Sequence, residues 1–344
     1  MKISLLGKTL KQIKEIVHER YGHQDNAIEI SKWIYRKDIS SFDEIISIPM
    51  ALRKSIGLNF QIEKTAPVLV SESNDKTRKY LFENQQGQKF EAVYMPGTKR
   101  NTLCMSTQSG CRMGCSFCLT GKMCFKGNLS AQDILNQYLS IPEQKKINRI
   151  VIMGMGEPFD NFIEVKKAIE ILTAQWGVSF GASNVTLSTV GLLEPLREFL
   201  EKPFCNLAIS LNNPFSDERI NLMPIESTNP IAKAVNLIKA KPLKKPLRVS
   251  FEYVALGEIN LDERHAKAIA DLLNGIQYHI NIIPWNSHKG SSFKSPTDLE
   301  LNTFISCLNR YGVLTSIRQS RGQDIGAACG QMAGTSEKIK KIKC

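Results

Sequence analysis

The amino-acid sequence predicts an α/β fold: a partial (β/α)6 barrel that follows a small helical domain and a short β extension. Three observations carry this prediction. Residues 1–64 place apolar side chains at helical spacing, residues 65–97 contain strand-like runs around a turn, and strand-like and helical segments then alternate to about residue 319. Such alternation is typical of βα units in a parallel sheet. A doubly wound open sheet is the competing fold, but no Gly-x-Gly-x-x-Gly motif follows a first strand.

The first two parts of the chain differ in their hydrophobic period. "LGKTLKQIKEIVHERYG" and "AIEISKWIYRK" have the spacing of amphipathic helices, and Trp33 and Tyr35 are expected in the core of an accessory domain over residues 1–64. "KYLFEN" and "KFEAVYMPG" are strand-like and flank the turn "QQGQ". They predict a β-hairpin extension over residues 65–97.

Residues 98–334 form the predicted barrel. Its strand-like runs are 102–106, 149–154, 184–189, 206–211, 248–256, 280–285 and a final run at 314–319, and its helical patterns are 129–139, 161–174, 191–201, 262–275 and 297–312. Ser130, followed three residues later by Asp133, predicts a capped helix start. Residues 335–344 form a basic tail.

Charge and apolar pattern limit the function. The formal charge is +12, from 45 Lys and Arg against 33 Asp and Glu, with clusters in "KPLKKPLR" (241–248) and "KIKKIK" (338–343). This balance suits a polyanion such as RNA, although a basic surface without such a partner explains it equally well. No apolar run reaches the ~20 residues of a membrane span, and the N-terminus does not resemble a signal peptide. We therefore expect a cytoplasmic protein without a membrane partner.

Three cysteines lie in "GCRMGCSFCLTG" at 110–121: Cys111, Cys115 and Cys118. Thiolates at this spacing suit zinc or an iron–sulfur cluster. A structural zinc site usually has four ligands, and the one nearby candidate, Cys124, is off the usual spacing. Three thiolates can instead hold three irons of a [4Fe-4S] cluster, so that the fourth iron stays open for S-adenosylmethionine. A zinc-bound structural loop is the alternative.

Polar residues collect at the ends of the predicted strands. In β/α barrels, chemistry gathers at the carboxyl ends of the strands. We expect such residues to bind the amino-acid and ribose parts of S-adenosylmethionine, although each alone is more often a turn or cap residue. The candidates are Gly156, Glu157, Ser188, Ser210, Leu211, Asn212 and Asn286.

Two further cysteines have informative neighbours. Cys104 directly precedes the three-cysteine loop, and Cys329 lies in "AACGQ", a stretch of small residues after the last strand. This segment could bring a reactive thiol into the barrel mouth, although a buried structural thiol is the usual role of a lone cysteine. Cys205 and Cys307 are interpreted as core positions, and Cys344 as a tail residue.

At this point the sequence resembles the radical-SAM ribosomal RNA adenine methyltransferases, the RlmN/Cfr family, from about residue 85 to 334. The resemblance lies in "FEAVYMP", "TLCMSTQSGCRMGCSFC", "MGMGEP", "VTLST.G", "NLAISLN", "LMPI", "NIIPWN" and "IGAACGQMAG". The helical N-terminal region fits that family's RNA-binding accessory domain.

The resemblance implies a mechanism with two S-adenosylmethionine molecules per turnover. Cys329 accepts a methyl group from the first, and a radical made from the second removes a hydrogen from that S-methyl group. The carbon radical adds to the adenine ring, and Glu91 acts as base, although from the sequence alone Glu91 would be an ordinary exposed strand residue. Cys104 resolves the adduct by forming a Cys104–Cys329 disulfide, which must be reduced by thiol exchange.

The implied partners are ribosomal RNA in a protein-poor assembly intermediate, a tRNA, an electron donor and a disulfide reductant. The target base must be unstacked to reach the barrel mouth. "IPWN" and "RG.DI" resemble the branch of the family that methylates C2 of adenine, and C8 is the alternative. A non-catalytic metal-containing RNA-binding protein and a radical-SAM enzyme with a non-nucleic substrate are further alternatives.

The chain departs from the family pattern at two places. Asn212 stands where the family usually has a histidine, and an amide cannot titrate near neutrality. The run Gln323-Asp324-Ile325-Gly326 also has fewer acids than the family often shows. These departures bear on substrate choice and leave the predicted thiol chemistry unchanged.

Overall fold

The computed structural model describes residues 2–22, 24–37, 39–288 and 291–333. The basic run at 338–343 and the predicted tail, including Cys344, lie outside these ranges. The N-terminal region is helical, as predicted. Its elements are β1 (Ile3–Ser4), α1 (Leu10–Tyr21), α2 (Ala27–Arg36), α3 (Met50–Asn59) and β2 (Phe60–Gln61).

The helical region begins at a defined cap and packs against the rest of the chain. The Thr9 side chain accepts a hydrogen bond from the Gln12 amide, and the Gln12 side-chain oxygen accepts one from the Thr9 amide, which makes a capping box at the start of α1. Tyr35 is fully buried and meets Trp176 edge-on at 6.3 Å. The short parallel pair β1–β2 was not predicted. Because buried side chains of α1–α3 belong to the same apolar core as the barrel, the domain boundary near residue 64 stays a prediction.

The β extension has more strands than predicted. β3 (Leu69–Glu72), β4 (Arg78–Glu83) and β5 (Lys89–Met95) form an antiparallel meander, of which β4 and β5 are the predicted hairpin. β5 then pairs antiparallel with β6 (Thr102–Cys104), the first barrel strand. The extension is therefore continuous with the barrel sheet.

The remaining elements confirm the alternating α/β architecture. They are β7 (Gln108–Ser109), β8 (Gly127–Asn128), α4 (Ala131–Leu139), β9 (Arg149–Ile152), α5 (Phe162–Thr173), β10 (Val185–Thr189), α6 (Leu193–Glu201), β11 (Asn206–Ser210), α7 (Ser216–Leu222), α8 (Ile231–Ala240), β12 (Val249–Ala255), α9 (Glu263–Leu273), β13 (Tyr278–Pro284), α10 (Asp298–Arg310) and β14 (Thr315–Ile317). Ser130 and Asp133 form the predicted capping box of α4. The helices α7 and α8 were not predicted, although Ile231, Val235 and Ile238 of α8 have helical spacing.

The barrel strands form one open, mixed sheet. Its ten strands, counted over the described residues, lie in the order β14-β13-β12-β11-β10-β9-β6-β5-β4-β3. β6 and β9 to β14 run parallel, so six crossovers join them in this part of the chain, in agreement with the predicted partial barrel. All their carboxyl ends therefore meet at one edge.

The two faces of the barrel strands differ in polarity. In β12, Phe251 and Tyr253 are fully buried, and Tyr253 stacks on Phe304 of α10. The alternate residues Ser250 and Glu252 line cavities inside the curve of the sheet. Eight-stranded β/α barrels are usually filled by branched apolar side chains, whereas the inside of this sheet holds cavities lined by both polar and apolar side chains. Among the described helices, none has the length and apolar character needed to cross a membrane.

Candidate active site

An open cavity of about 1010 Å³ lies inside the barrel at the carboxyl ends of the parallel strands. Most of the residues predicted from the sequence line it. These are Cys111, Cys115, Cys118, Gly156, Glu157, Ser188, Ser210, Asn212, Asn286 and Cys329. Leu211, Cys104 and Glu91 do not line this cavity, and neither does Cys124, the candidate fourth ligand.

The three cysteines at 110–121, here called the cluster loop, face the cavity together. Cys115 is buried, and Cys111 and Cys118 are partly exposed. Burial raises the pKa of Cys111 to about 12. Burial also raises the pKa of Cys115, and the neighbouring Cys118 and Cys111 raise it further. Metal ligation requires the thiolates, so a positively charged centre bound here would offset the effect of burial and favour loss of the thiol protons.

This donor set fits a cluster better than a single ion. Within the described residues, no three His, Cys, Asp or Glu side chains are arranged to hold one metal ion. A single zinc at about 2.3 Å from each sulfur would need the sulfurs within ~4 Å of one another. In an iron–sulfur cluster each cysteine binds a different iron, so the sulfurs stand further apart. Cys111, Cys115 and Cys118 would hold such a cluster.

Contacts from across the barrel fix the cluster loop. Arg112 donates two hydrogen bonds to the Asp160 carboxylate, at 2.9 and 3.0 Å. Trp285, at the end of β13, donates from its indole nitrogen to the Phe117 carbonyl at 3.0 Å. The conformation of the loop therefore depends on residues that are far apart in the sequence.

Glu157 is a buried carboxyl at the wall of the cavity. It is 3% exposed and accepts hydrogen bonds from the Thr189 hydroxyl at 2.5 Å and the Val190 amide at 3.0 Å. Burial raises its pKa to about 7, although these hydrogen bonds oppose the shift. The preceding Gly156 has φ +95°, and a Cβ there would lie 2.5 Å from the Cβ of Gln108. The turn "MGMGEP" therefore needs glycine at this position.

A buried arginine that the sequence analysis missed fixes the ends of β10 and β11. Arg219 of α7 has no exposed surface and pairs with Glu226. Its guanidinium donates to the carbonyl oxygens of Leu211 at 2.9 Å, Ser210 at 2.8 Å and Val190 at 3.2 Å. Leu211 thus contributes its backbone to this arrangement, while its side chain is buried away from the cavity. In the sequence, the stretch "SDERI" gave no sign of this role.

Asn212 is held by the barrel itself. Its backbone has φ +56°, a left-handed conformation that asparagine adopts more readily than most residues. The side-chain oxygen accepts from the Val254 amide at 2.9 Å, and the amide nitrogen donates to the Met223 sulfur at 3.1 Å. The predicted cofactor-binding residue is therefore also a bridge between β11 and β12.

Cys329 lies on a segment that Asn286 holds against the cavity. The Asn286 amide donates to the Cys329 carbonyl at 3.2 Å and accepts from the Gln323 side chain at 2.8 Å. Cys329 itself is exposed and lines the main cavity together with a smaller adjoining one. Cys104 lines the smaller cavity. The two thiols thus border one space, and the disulfide that the resemblance implies between them stays a prediction.

Cys104 differs from Cys329 in its environment. Cys104 is 7% exposed. Burial, and to a smaller extent the neighbouring Cys329, raises its pKa to about 12. Arg318, another residue that the sequence analysis missed, lies near both thiols and lowers the pKa of Cys104. Arg318 also lies 3.6 Å from the Glu252 carboxylate. The positive charge of Arg318 thus partly offsets the effect of burial on the Cys104 thiol.

The structure corrects the expected exposure of Glu91. This residue, expected to be exposed on its strand, is 1% exposed in β5. Its carboxylate lies 3.3 Å from the Lys79 ammonium and accepts from the Ala333 amide at 3.2 Å. Glu91 therefore borders the C-terminal segment that carries Cys329, outside the main cavity.

The C-terminal segment is tied to the turn between β3 and β4. Asp324 accepts from the Ser73 hydroxyl at 2.6 Å and the Asn74 amide at 3.2 Å. Asp75 accepts from the Gly322 amide at 3.1 Å. Burial would raise the pKa of Asp75, but its hydrogen bonds outweigh burial and lower the pKa to about 2. The β extension thus anchors the segment that carries Cys329.

Comparisons with known proteins agree with this geometry. Residues 105–269 match the family model described as "Radical SAM superfamily". The chain is 40% identical to "Probable dual-specificity RNA methyltransferase RlmN" of Parabacteroides distasonis, over 96% of this chain and 97% of the relative. It is 36% identical to "Dual-specificity RNA methyltransferase RlmN" of Syntrophotalea carbinolica, over 97% and 90%. A solved radical SAM methyltransferase from Sphaerobacter thermophilus is similar at a TM-score of 0.89 and 33% identity, over 97% of this chain and 100% of that chain.

Proposed function

Since the chain belongs to the RlmN family of radical SAM RNA methyltransferases, we propose that it methylates C2 of an adenosine in large-subunit ribosomal RNA. A tRNA adenosine near the anticodon is the proposed second substrate, which the "dual-specificity" names of the relatives support. The family uses a [4Fe-4S] cluster and S-adenosylmethionine, and when bound the cluster supplies the electron that cleaves S-adenosylmethionine.

The observation that carries the proposal is the position of two additional thiols beside the cluster loop. A structural metal site has no use for Cys104 and Cys329, which border one cavity next to three ligand cysteines. We assign methyl acceptance to Cys329, because it is exposed and faces both cavities. We assign product release to Cys104, because it is buried and lines the smaller cavity that Cys329 also borders.

Glu91 is the proposed base for the ring proton. Its carboxylate accepts from the Ala333 amide, so the C-terminal segment has to shift before Glu91 can reach a bound adenine. Lys79, at 3.3 Å, keeps a positive charge beside the carboxylate. The assignment therefore includes a movement of the segment that carries Cys329.

The choice of C2 over C8 rests on the resemblance of "IPWN" and "RG.DI" to the C2 branch. In the structure Trp285 of the first motif contacts the cluster loop, and Arg321 of the second donates to the Pro96 carbonyl. The charge of +12 supports an RNA substrate. An electron donor, a disulfide reductant and a cytoplasmic location complete the proposal.

The division of labour between the two thiols can be tested with single variants. Cys329→Ala should carry no methyl group and form no RNA adduct. Cys104→Ala should accept the methyl group, attack the RNA and then stall, so that a nucleotide remains attached through Cys329 after RNase digestion. Mass spectrometry of tryptic peptides measures both outcomes. Cys205→Ala is the matched control, because Cys205 is a fully buried thiol that lines none of these cavities.

Two results would contradict the proposal. Normal turnover by Cys104→Ala, or a trapped nucleotide on Cys104, would show that the assigned roles are wrong. About one zinc and no sulfide in anaerobically purified protein would support the non-catalytic alternative. Nucleoside mass spectrometry of RNA carrying deuterium at C2 or at C8 separates the two target atoms, because only the methylated carbon loses its label.

A further inference from the structure

A second cavity opens at the amino ends of the barrel strands, on the opposite edge from the active-site cavity. Its volume is about 1650 Å³, including the solvent at its mouth. The wall consists largely of polar side chains that point inward from β6 and β9 to β14, among them Thr102, Thr186, Ser250 and Asn281. It shares Met153, Glu252 and Arg318 with the active-site cavity, but the proposed reaction assigns no role to the residues at its amino-end mouth.

Besides Arg321, which donates to the Pro96 carbonyl, three arginines line this cavity without a carboxylate partner in the described part of the chain. They are Arg100, Arg149 and Arg248. Arg149 donates to the Ser183 carbonyl at 2.7 Å. Burial lowers the pKa of Arg149, and the positive charges of Arg100 and Arg248 lower it further. The arginines therefore repel one another, and an anion would relieve the repulsion.

The acidic side chains nearby do not neutralise these arginines. Glu252, which lines the same cavity, accepts from Asn281 at 2.8 Å and lies 3.6 Å from Arg318. Glu143 pairs with Arg78, and Glu201 pairs with Lys241.

Exposed lysines extend the positive charge around this edge. The loops that precede β6, β9, β11 and β12 reach the edge side by side, because these strands lie close together in the sheet. We call the basic residues of these loops the basal rim: Lys99, Arg100, Lys145, Lys146, Arg149, Lys202, Lys244, Lys245 and Arg248. None of them forms an ion pair within the described residues. The rim includes most of the basic run "KPLKKPLR" that the sequence analysis singled out.

This charge distribution fits a phosphate backbone. Arginine forks bind phosphate oxygens bidentately, and a row of unpaired cations suits a polyanion better than a single small ion. We propose that the basal rim binds the phosphate backbone of a substrate RNA at a segment distant from the target adenine. This inference rests on the proposed function, because it takes its partner from the RNA substrate.

The length of the barrel strands separates the two proposed RNA contacts, one at the basal rim and one at the active-site mouth. The barrel strands, of three to seven residues, rise about 3.3 Å per residue, which puts the rim roughly 10–23 Å from the active-site mouth. A short hairpin that places its adenine in the mouth would not reach the rim, whereas a large folded RNA would. The helical N-terminal region contacts the same edge of the sheet as the rim, since Arg36 donates to the Gly177 carbonyl in the loop before β10.

The test compares two RNAs with one pair of variants. Arg100→Gln combined with Arg248→Gln removes two rim charges, and Lys166→Gln combined with Lys267→Gln removes two exposed charges from the outer helices as a control. Binding of a protein-free fragment of large-subunit RNA and of a short adenine hairpin is measured between 50 and 200 mM salt. Each lost phosphate contact lowers the log–log salt slope by about 0.9.

For the rim variant we expect a slope smaller by about two with the long RNA and an unchanged slope with the hairpin. The control variant should change neither. An unchanged slope for the long RNA, or equal changes for both RNAs, would overturn the inference. An unchanged slope would also overturn the inference if calorimetry showed that inorganic phosphate binds and that its binding requires Arg100 and Arg248. The rim would then bind a free anion.

Methylation of the hairpin is measured in parallel, and the rim variant should retain it. If the unaltered protein methylates neither RNA but still shows the rim-dependent slope, the proposed function fails and the surface stands. Thermal unfolding of both double variants confirms that they are folded.

Discussion

Arg219 should be among the most costly side chains to remove from the barrel. Its guanidinium is fully buried, pairs with Glu226 and donates to the carbonyls of Val190, Ser210 and Leu211. Removing one partner of a buried ion pair costs about 3–5 kcal/mol, because the other charge is left without compensation. We expect Arg219→Leu to lose about 4 kcal/mol, which corresponds to a fall in Tm of roughly 8–16 °C for a domain of this size.

A second substitution separates the cost of leaving the Glu226 charge unpaired from the cost of leaving the three carbonyls without donors. Glu226 also accepts from the Ser216 hydroxyl at 2.8 Å and the Ile231 amide at 3.0 Å, contacts that glutamine can partly keep. Arg219→Leu combined with Glu226→Gln removes the buried charge, so this double variant should regain about 2 kcal/mol over the single variant. The three carbonyls stay without donors in both variants and account for the remainder.

Differential scanning calorimetry of the reconstituted protein measures the unfolding, and equilibrium dialysis measures S-adenosylmethionine binding. Because Arg219 fixes the backbone of Ser210, affinity should also fall in any variant that still folds. Arg219→Lys is the matched control, because it keeps the charge and loses the planar fork. Its Tm should lie between that of the unaltered protein and that of Arg219→Leu. A Tm of Arg219→Leu within 2 °C of the unaltered protein would refute this reasoning.

Three further substitutions test single contacts. Gly156→Ala should cost roughly 1–3 kcal/mol, since a Cβ at φ +95° meets Gln108, and calorimetry would detect it. Asp75→Asn should lower the free energy of unfolding by about 1 kcal/mol at neutral pH. The effect is small because Asp75 is exposed to solvent, which screens its charge. Because folding lowers the Asp75 pKa from 3.8 to about 2, its contribution is present above pH 3.8 and is lost as the pH falls towards 2, so urea unfolding of the two proteins should converge at low pH. Trp285→Phe should free the Phe117 carbonyl and speed loss of the iron–sulfur absorption in air, and an unchanged rate would show that this hydrogen bond is dispensable.

Features with a local signature were predictable from the sequence. The barrel strands follow from alternation along the chain, and the start of α4 follows from Ser130 and Asp133. The three cysteines of the cluster loop are close in sequence, so their meeting in space needs no knowledge of the fold. The short helix α7 carries no such pattern, because seven residues span only two turns.

Features that depend on long-range contacts could not be predicted in this way. Arg219 is important because three carbonyls from two strands point at it, and the sequence contains no trace of those directions. Glu91 is buried because the C-terminal segment packs over β5, more than 200 residues later in the chain. Arg318 follows β14 like many exposed arginines, and its place between two thiols depends on the curvature of the sheet.

The hydrogen bonds between the cluster loop and the C-terminal segment bear on how this protein can diverge. The Leu119 amide donates to the Gly330 carbonyl at 2.8 Å, and the Thr120 hydroxyl donates to the Met332 carbonyl at 2.7 Å across 212 positions of sequence. Each stretch therefore sets the position of the other. Exchanging one of them with a diverged relative would misplace Cys329 by the difference between the two backbones, whereas exchanging both would preserve their spacing. The two distant stretches behave as a single unit of inheritance, and recombination between them should be tolerated only among close relatives.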